Sequence, residues 1–318
     1  MALPFGSRYL GVAGRIARWS IIVVGCVALA SSASAQQIFL TPEQASEALV
    51  TALKSNERRE ILNVVGRSAF DILSSGDDVA DELARKRLVE QFGQRHRIVM
   101  HGDLEATLVT GTADTPFSIP LVRSSQGWQF DIATGRQEVL RARIARNEGM
   151  AVETLAAFVK AQRDYAAMAA AKEGTKRYAQ RIISRPDQKD GLYWPASGGE
   201  ERSPLNDLVE RAKADGYSFG ALRAAYHGYR FKVLLRQGHR AAGGSIDYNE
   251  KGRMTRGFAL IAYPVQYGHS GVMSFMVNQS GTIYQKDLGA YSTRSAGREV
   301  WFNPDQTWRR VAQPGGGL

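Results

Sequence analysis

The chain has 318 residues and carries 41 lysines and arginines against 31 aspartates and glutamates, which gives a formal net charge of +10. Its single cysteine, Cys26, lies in a leader segment that we expect to be removed. The processed protein would then have no disulfide, no thiolate nucleophile and no sulfur-ligated metal, which excludes the classes of protein that depend on them.

The first 35 residues have the three parts of a bacterial export signal. A segment with three arginines precedes the apolar run WSIIVVGCVALA (19–30), and the small-residue motif ASA (33–35) follows it. The run is shorter than the about 20 residues that a membrane-spanning helix needs. We predict a signal peptide over residues 1–35, a mature chain that begins near Gln36, and a periplasmic or secreted protein.

An alternative is open at the same place. The motif VVGC (23–26) resembles a lipoprotein box, in which Cys26 would carry a lipid anchor. That processing would cut the apolar run in half, so we favour cleavage after Ala35.

Removing the leader lowers the net formal charge to +7, and this charge is spread along the chain. Such a balance favours solubility or weak attraction to anionic envelope polymers over nucleic-acid binding, and we predict no nucleic-acid partner.

Residues 36–147 are predicted to form an N-terminal α+β domain. Thr41 and Gln44 have the spacing of a helix-capping box around Pro42, and an apolar stripe follows them. A second apolar cluster and a helix over about 79–92, capped by the motif SSGDD, come next. The segments EATLVTG, FSIPLVR and GWQFDIA then alternate with a period of two residues, which is typical of an antiparallel meander.

Residues 148–303 are predicted to form a second domain, in which a helix packs on an antiparallel sheet. The helical pattern runs from Arg136 to about Ala170, and Gly149 is expected to break or kink it. After a loop and a short helix, the segments YRFKVLL, GFALIAYP and VMSFMVNQSGTIYQ predict strands, the last of them a hairpin that turns at Gly281. Residues 304–318 are predicted to be a flexible tail.

Several of these motifs resemble a known family. The phrases DGLYWP, YHGYRFKVL, GFALIAYPVQYGHSGVMSF, VNQSGTIYQKDLG and GWQFDIATGRQEVLRARIARNE resemble the bacterial family catalogued as domain of unknown function 2950. The resemblance covers essentially the whole mature chain. It implies an exported bacterial protein, and it transfers no catalytic residue.

The C-terminal half also resembles the soluble domains of type IV pilin-like proteins and pseudopilins. The resemblance lies in a long helix that ends in AQRDYAA, an irregular loop, and a sheet that finishes in FMVNQSGTIY. It implies a role in assembly. Relatives of that kind carry an acidic, calcium-binding loop after the helix, whereas the corresponding stretch here is AAAKEGTKRYAQ (169–180). No metal and no cofactor are therefore predicted.

The stretch YGHSGVMSF contains the most suggestive hydrolase motif of the chain. A nucleophile elbow needs the pattern G-x-S-x-G, but the residue two places after Ser270 is Val272, and the residues beyond it alternate as in a strand. We therefore predict a turn at Ser270 that enters a strand whose Met273, Phe275 and Val277 face the core.

The favoured binding surface combines two other motifs. Asp190, Tyr193 and Trp194 lie in the motif DGLYWP, which is predicted to be an exposed loop, where aromatic side chains would stack on a sugar or a partner strand. His227 and Tyr229 of the motif YHGY complete this surface. The five histidines of the chain have no metal-binding spacing.

These patterns favour a non-enzymatic envelope protein that binds or assembles with an envelope protein or polymer. The alternative is a periplasmic hydrolase of envelope polymers that uses scattered aspartates and histidines. Such an enzyme needs two carboxylates about 5 to 10 Å apart, a separation that the sequence does not reveal. The candidate carboxylates are Asp187, Asp190, Asp247 and Asp287.

Overall fold

The computed structural model describes residues 36–196, 199–218, 224–299 and 301–312. The predicted signal peptide, the signal-peptidase site and Cys26 lie outside these ranges, so their processing stays a prediction. No helix within the described ranges has both the length and the apolar character to cross a membrane.

Helices open the described chain. Thr41 caps the first helix as predicted, since its Oγ1 accepts a hydrogen bond from the Gln44 amide at 3.2 Å, and the Gln44 side chain accepts one from the Leu40 amide at 3.3 Å. The helix ends at Asn56, whose φ of 58° is left-handed. The helices of this part are α1 (Pro42–Ser55), α2 (Arg58–Val65), α3 (Phe70–Leu73) and α4 (Asp78–Gln94), with a 3-10 turn (Arg67–Ala69) before α3.

An antiparallel sheet follows, with the strand order β1-β2-β4-β5 and with β3 beside β2. The prediction of a strand over FSIPLVR is correct only from Leu121 onward, because Pro120 has no amide hydrogen for a strand ladder. The strand β1 was not predicted, since none of its side chains is fully buried. The strands are β1 (His96–His101), β2 (Glu105–Thr110), β3 (Thr115–Pro116), β4 (Leu121–Ser124) and β5 (Gly127–Phe130).

One helix of 42 residues, α5 (Ile132–Glu173), connects the two halves of the chain. Asp131 caps its start by accepting a hydrogen bond from the Thr134 amide, and the left-handed Gly174 ends it. The helix runs through Gly149 without a break, so the predicted interruption there is wrong, while a kink stays a prediction. A side chain at position 149 would meet nothing within 4 Å, which means that this glycine lies on an open helix face.

A second antiparallel sheet packs against α5, as predicted, in the order β17-β15-β14-β13-β8. Helix α5 contacts β13, β14 and β15, while a short helix and β16 also contact β13. Both faces of β13 are buried for this reason. The strands are β8 (Tyr229–Leu234), β13 (Ala259–Pro264), β14 (Met273–Asn278), β15 (Ile283–Asp287) and β17 (Arg309–Arg310).

The predicted hairpin is confirmed. The strands β14 and β15 pair in antiparallel register, with Gly281 at a φ of 82° in the turn between them. Phe275 and Val277 are buried, whereas Met273 is half-buried. The strand β17 pairs with β15, so residues 309 and 310 are not part of a flexible tail. Residues 313–318 of that predicted tail lie outside the described ranges.

Short elements complete the C-terminal half. The strands β6 and β7 form a parallel pair, β9 pairs with β10 and β16, and β11 pairs with β12. These elements are β6 (Arg181–Ile183), β7 (Gly191–Tyr193), α6 (Asn206–Ala214), β9 (Arg236–Gln237), β10 (Ile246–Asp247), β11 (Asn249–Glu250), β12 (Arg253–Met254), α7 (Ser292–Arg298) and β16 (Trp301–Phe302).

The described residues form an α+β fold, as predicted. The described residues pack as one compact unit that contains distinct hydrophobic clusters. The first cluster is centred on Leu49, Leu121 and Phe130, and the second on Phe158 and Phe275. The division into two domains at residue 147 and the likeness to pilins stay predictions.

Candidate functional site

The two aromatic residues of the predicted binding loop lie in the core. Tyr193 is 2% exposed and Trp194 is 4% exposed, so the prediction that they present an exposed surface is wrong. The motif DGLYWP contains β7, which pairs with β6 so closely that a Cβ on Gly191 would lie 2.5 Å from the Ser184 amide nitrogen. This pairing turns the aromatic side chains into the second hydrophobic cluster, where Trp194 Nε1 donates to the Glu201 carbonyl at 3.1 Å.

Tyr229 and His227 are also buried. Tyr229 has no exposed surface, and its hydroxyl donates to the Met273 carbonyl at 2.8 Å. His227 is 8% exposed, and its ring packs against Tyr217 and Tyr226. The predicted surface that joined these two residues to Tyr193 and Trp194 is therefore not present, because their side chains serve packing.

A buried polar network surrounds Asp77, which caps α4. Its carboxylate accepts hydrogen bonds from the Ala80 amide at 3.1 Å, the Tyr217 hydroxyl at 2.9 Å and the Gly228 amide at 2.8 Å. The Tyr217 hydroxyl in turn accepts one from the His227 amide at 3.0 Å. Burial and the negative charge of Asp77 raise the pKa of Tyr217, which stays a neutral donor. The network ties the N-terminal helices to the turn that precedes β8.

This network does not form a catalytic triad. His227 Nε2 lies 3.7 Å from an Asp215 carboxylate oxygen and has no hydrogen-bond partner among the described residues. The Ser270 hydroxyl donates to the Gln266 carbonyl at 3.0 Å and accepts from the Gln266 amide at 2.9 Å, so it serves the turn that the sequence predicts. In the described part of the chain, no three His, Cys, Asp or Glu side chains are placed to hold a metal ion.

Burial of His227 predicts a pH dependence of stability. Burial lowers the pKa of His227, with smaller opposing effects from Asp215 and Asp77 and reinforcing ones from Arg87 and Arg146. Below its ordinary pKa of about 6.5, the unfolded chain takes up a proton before the folded chain does. The free energy of unfolding is therefore expected to fall as the pH is lowered from 7.5 to 5, as measured by urea unfolding.

The matched variants for this experiment are His227→Asn and His239→Asn. Asparagine tolerates the left-handed φ of 47° at position 227, so this variant removes the titration with little backbone strain. We expect a shallower pH dependence in His227→Asn than in the wild type. His239 is exposed, and its replacement serves as the control. An equally steep fall in His227→Asn would show that another group causes the dependence.

An apolar cavity of about 390 Å³ opens in the C-terminal half between α5, α6, β6 and β8. Most of its lining is aliphatic or aromatic, and five of the apolar lining side chains, on three elements, are only half-buried. These five are Ile182, Ile183, Leu208, Phe231 and Val233. Burying such side chains under a ligand is favourable by about 25 cal/mol per Å² of apolar surface.

A polar cleft of about 590 Å³ adjoins the cavity, since Gln180 and Arg181 line both. Asp190, the predicted site residue that remains partly exposed, lies in this cleft. Its carboxylate accepts hydrogen bonds from the amide and the Nε of Arg185, at 2.9 and 2.7 Å. Burial raises the pKa of Asp190, but these hydrogen bonds and the charges of Arg185 and Arg181 outweigh burial and lower it below its usual value.

The cleft has more positive than negative charge. Its lining contains four arginines and two carboxylates. Glu173 pairs with Arg177 at 2.7 Å, and Asp190 pairs with Arg185 at 2.7 Å. The Arg181 Nε lies 3.4 Å from the Asp190 carboxylate that Arg185 already engages. The remaining arginine, Arg253, has no carboxylate within ion-pairing distance among the described residues.

Comparison with known proteins places the chain in a family. The sequence model of the family described as Protein of unknown function (DUF2950) matches residues 36–311. The chain belongs to the DUF2950 family. The resemblance to this family that the sequence motifs predict is thus confirmed. No curated protein and no solved structure shows a significant match, and the likeness to pilins stays a prediction.

Sequence reasoning missed most of the groups that line the cavity and the cleft of this DUF2950 chain. Of the cleft residues, only Asp190 was predicted to belong to a site. The available signal was the spacing of Arg177, Arg181 and Arg185, which recur every four residues after α5. The fourth arginine, Arg253, lies in the two-residue strand β12, which is brought to the cleft by a bridge between Tyr178 and Met254.

Proposed function

We propose that this chain is an exported protein of the bacterial envelope that binds a small ligand in the apolar cavity and catalyses no reaction. The export signal over residues 1–35 supports the location, and the cavity supports binding. A volume of about 390 Å³ suits a small molecule rather than a polymer or a folded protein, so the proposed ligand is a small component of the envelope.

The observation that carries the proposal is the row of half-buried apolar side chains at the cavity. Leu208 of α6 faces the same space as Phe231 and Val233 of β8 and Ile182 of β6. These elements are held by the fully buried Leu205, Val209 and Leu260, which also line the cavity. The walls are therefore preformed, and a ligand would add apolar contact at little cost in ordering.

The chemistry of the lining favours binding over catalysis. Among the described residues that line the cavity there is no Asp, Glu, His, Ser, Cys or Lys. The Thr154 hydroxyl donates to the Met150 carbonyl at 2.8 Å within α5, which engages its proton. Burial raises the pKa of Tyr226, the one tyrosine among these lining residues, so its hydroxyl stays neutral. A lining of this kind favours holding a ligand over supplying a general base or nucleophile.

The hydrolase alternative gains no support from the candidate aspartates. Asp190 pairs with Arg185, Asp247 pairs with Arg236 at 3.2 Å, and Asp287 accepts a hydrogen bond from the Tyr267 hydroxyl at 3.1 Å. Asp187 adopts a left-handed turn conformation with a φ of 58°. Three of these four carboxylates are thus engaged by a neighbouring side chain.

Filling the cavity is expected to abolish binding. In the Leu208→Trp variant, an indole would occupy space that is open in the wild type, while the half-buried position limits the strain. The probe is N-phenyl-1-naphthylamine, a neutral apolar fluorophore whose emission rises in apolar surroundings. We expect saturable binding to the wild type and at least about tenfold weaker binding to Leu208→Trp, which is about 1.4 kcal/mol.

The matched control is Leu104→Trp, which adds the same indole at an exposed position outside the cavity. This variant should bind the fluorophore as the wild type does. Circular dichroism spectra establish that both variants are folded. Absence of saturable binding to the wild type, or equal binding to folded Leu208→Trp, would contradict a ligand site in the cavity.

A further inference from the structure

We propose that the ligand is a single-chain amphiphile with an anionic head group, whose hydrocarbon chain occupies the apolar cavity and whose head group lies in the polar cleft against Arg181 and Arg253. This inference rests on the proposed function and names the class of ligand for the same site. It follows from three observations: the shared lining of the two adjacent openings, the charge of the cleft, and the scarcity of hydrogen-bonding groups in the cavity.

The cavity and the cleft are adjacent at the start of β6, where they share two lining residues. Gln180 and Arg181 line both openings, and the next residues, Ile182 and Ile183, line the apolar one alone. Gln180 is fixed in place, since its side-chain amide donates to the Gly252 carbonyl at 2.8 Å. A ligand that fills the cavity would therefore reach the arginine-lined cleft with one end.

The charges of the cleft are complementary to an anion. The carboxylates of Glu173 and Asp190 are already engaged by Arg177 and Arg185. Arg181 shares its carboxylate with Arg185. Arg253 forms no close ion pair among the described residues, and its charge acts on Glu173 only from a longer distance. Guanidinium groups bind carboxylates and phosphates through paired hydrogen bonds, so these two arginines would hold an anionic head group.

The lining of the cavity selects a hydrocarbon chain over a peptide. A peptide carries one amide hydrogen and one carbonyl per residue, and each needs a partner when it is buried. The cavity offers few polar groups, and the Thr154 hydroxyl is used inside α5. A hydrocarbon chain needs no such partner and gains from the contact with Leu208, Phe231 and Val233.

Titration calorimetry with three probes tests the two parts of the ligand separately. Decanoate carries both the chain and the charge, decanol carries the chain alone, and acetate carries the charge alone. All are used below the concentration at which they aggregate. For the wild type, we expect decanoate to bind at least about tenfold more tightly than decanol, and acetate to show no measurable binding.

The decisive variant is Arg181→Gln/Arg253→Gln, which neutralises two exposed arginines of the cleft. It should weaken decanoate to the affinity of decanol and leave decanol unchanged. The matched control, Arg309→Gln/Arg310→Gln, removes the same charge from exposed positions that line neither opening, and it should bind decanoate as the wild type does. Circular dichroism confirms that both variants are folded.

The outcomes separate this inference from the proposed function. The proposal of an anionic head group would fail if the wild type bound decanol and decanoate equally well, or if the double variant bound decanoate as tightly as the wild type. Either result would leave the proposal of ligand binding in the cavity intact. If neither decanol, decanoate nor the neutral fluorophore binds the wild type, the proposed function fails as well. Loss of decanoate binding in the control variant would show that overall charge, and not the cleft, attracts the anion.

Discussion

Replacing both Tyr193 and Trp194 with alanine is expected to unfold the protein or to remove most of its stability. Truncating a buried aromatic side chain costs about 3 to 5 kcal/mol, and a folded domain has only about 5 to 15 kcal/mol in total. Both side chains lie in the second hydrophobic cluster. Because they are chain neighbours, their losses need not add, but either loss alone is severe. Urea unfolding followed by circular dichroism measures the effect.

Two controls accompany this double variant. Tyr193→Phe keeps the ring and removes only the hydroxyl, which accepts a hydrogen bond from Lys213 Nζ at 3.0 Å, so it should cost about 0.5 to 1.5 kcal/mol. Tyr291→Ala removes an aromatic side chain that is 72% exposed, and its effect should stay within about 0.5 kcal/mol. If the double variant were as stable as Tyr291→Ala, the result would contradict the burial of both side chains and support the exposed binding loop that the sequence predicts.

The second large effect is expected for Asp77→Ala, at about 3 to 7 kcal/mol. The variant loses the cap of α4, which is worth about 1 kcal/mol, and leaves the buried Tyr217 hydroxyl and Gly228 amide without their acceptor, at about 1 to 3 kcal/mol each. Urea unfolding gives the magnitude. Hydrogen exchange of the Gly228 amide gives the location, and it should be much faster in the variant.

The matched control is Asp78→Ala. This neighbouring aspartate lies in the same first turn of α4 but is exposed, so removing it should cost less than about 1 kcal/mol. Asp77→Asn keeps one acceptor oxygen and the shape of the side chain, and should lie between the two. Equal losses for Asp77→Ala and Asp78→Ala would mean that only the helix end matters and that the bonds to residues 217 and 228 contribute nothing.

The long elements of the fold were predictable because they carry periodic patterns. The capping box at Thr41, the apolar stripe of α5 and the alternation in β14 each determine a local structure from adjacent residues. Strands of two or three residues carry no period. For that reason the segment of β7 was predicted to be a loop. The strand has only three residues, a proline follows it closely, and its parallel partner β6 is not apparent from the sequence.

The candidate site was harder to predict because its groups come from distant parts of the chain. The sequence identified the capping role of the SSGDD motif, but the other two partners of Asp77 lie 140 and 151 residues away. The apolar cavity draws on α5, α6, β6 and β8, each of which looks like an ordinary amphipathic element. The cavity results from how these four elements pack against one another, and the sequence of any single element does not reveal it.

Because α5 is one unbroken helix, the direction of its apolar stripe at the first hydrophobic cluster fixes the direction of its apolar stripe at the second. Its early turns place Leu140 against the first cluster, and its later turns place Leu155 and Phe158 in the second. Each residue of an α-helix advances the direction of its side chain by about 100°. Inserting or deleting one residue near Gly149 would therefore rotate one apolar stripe away from its cluster. Only length changes that nearly restore the direction, such as seven or eleven residues (within about 20°), would keep both stripes inward. The length of this segment is therefore constrained more strongly than its composition.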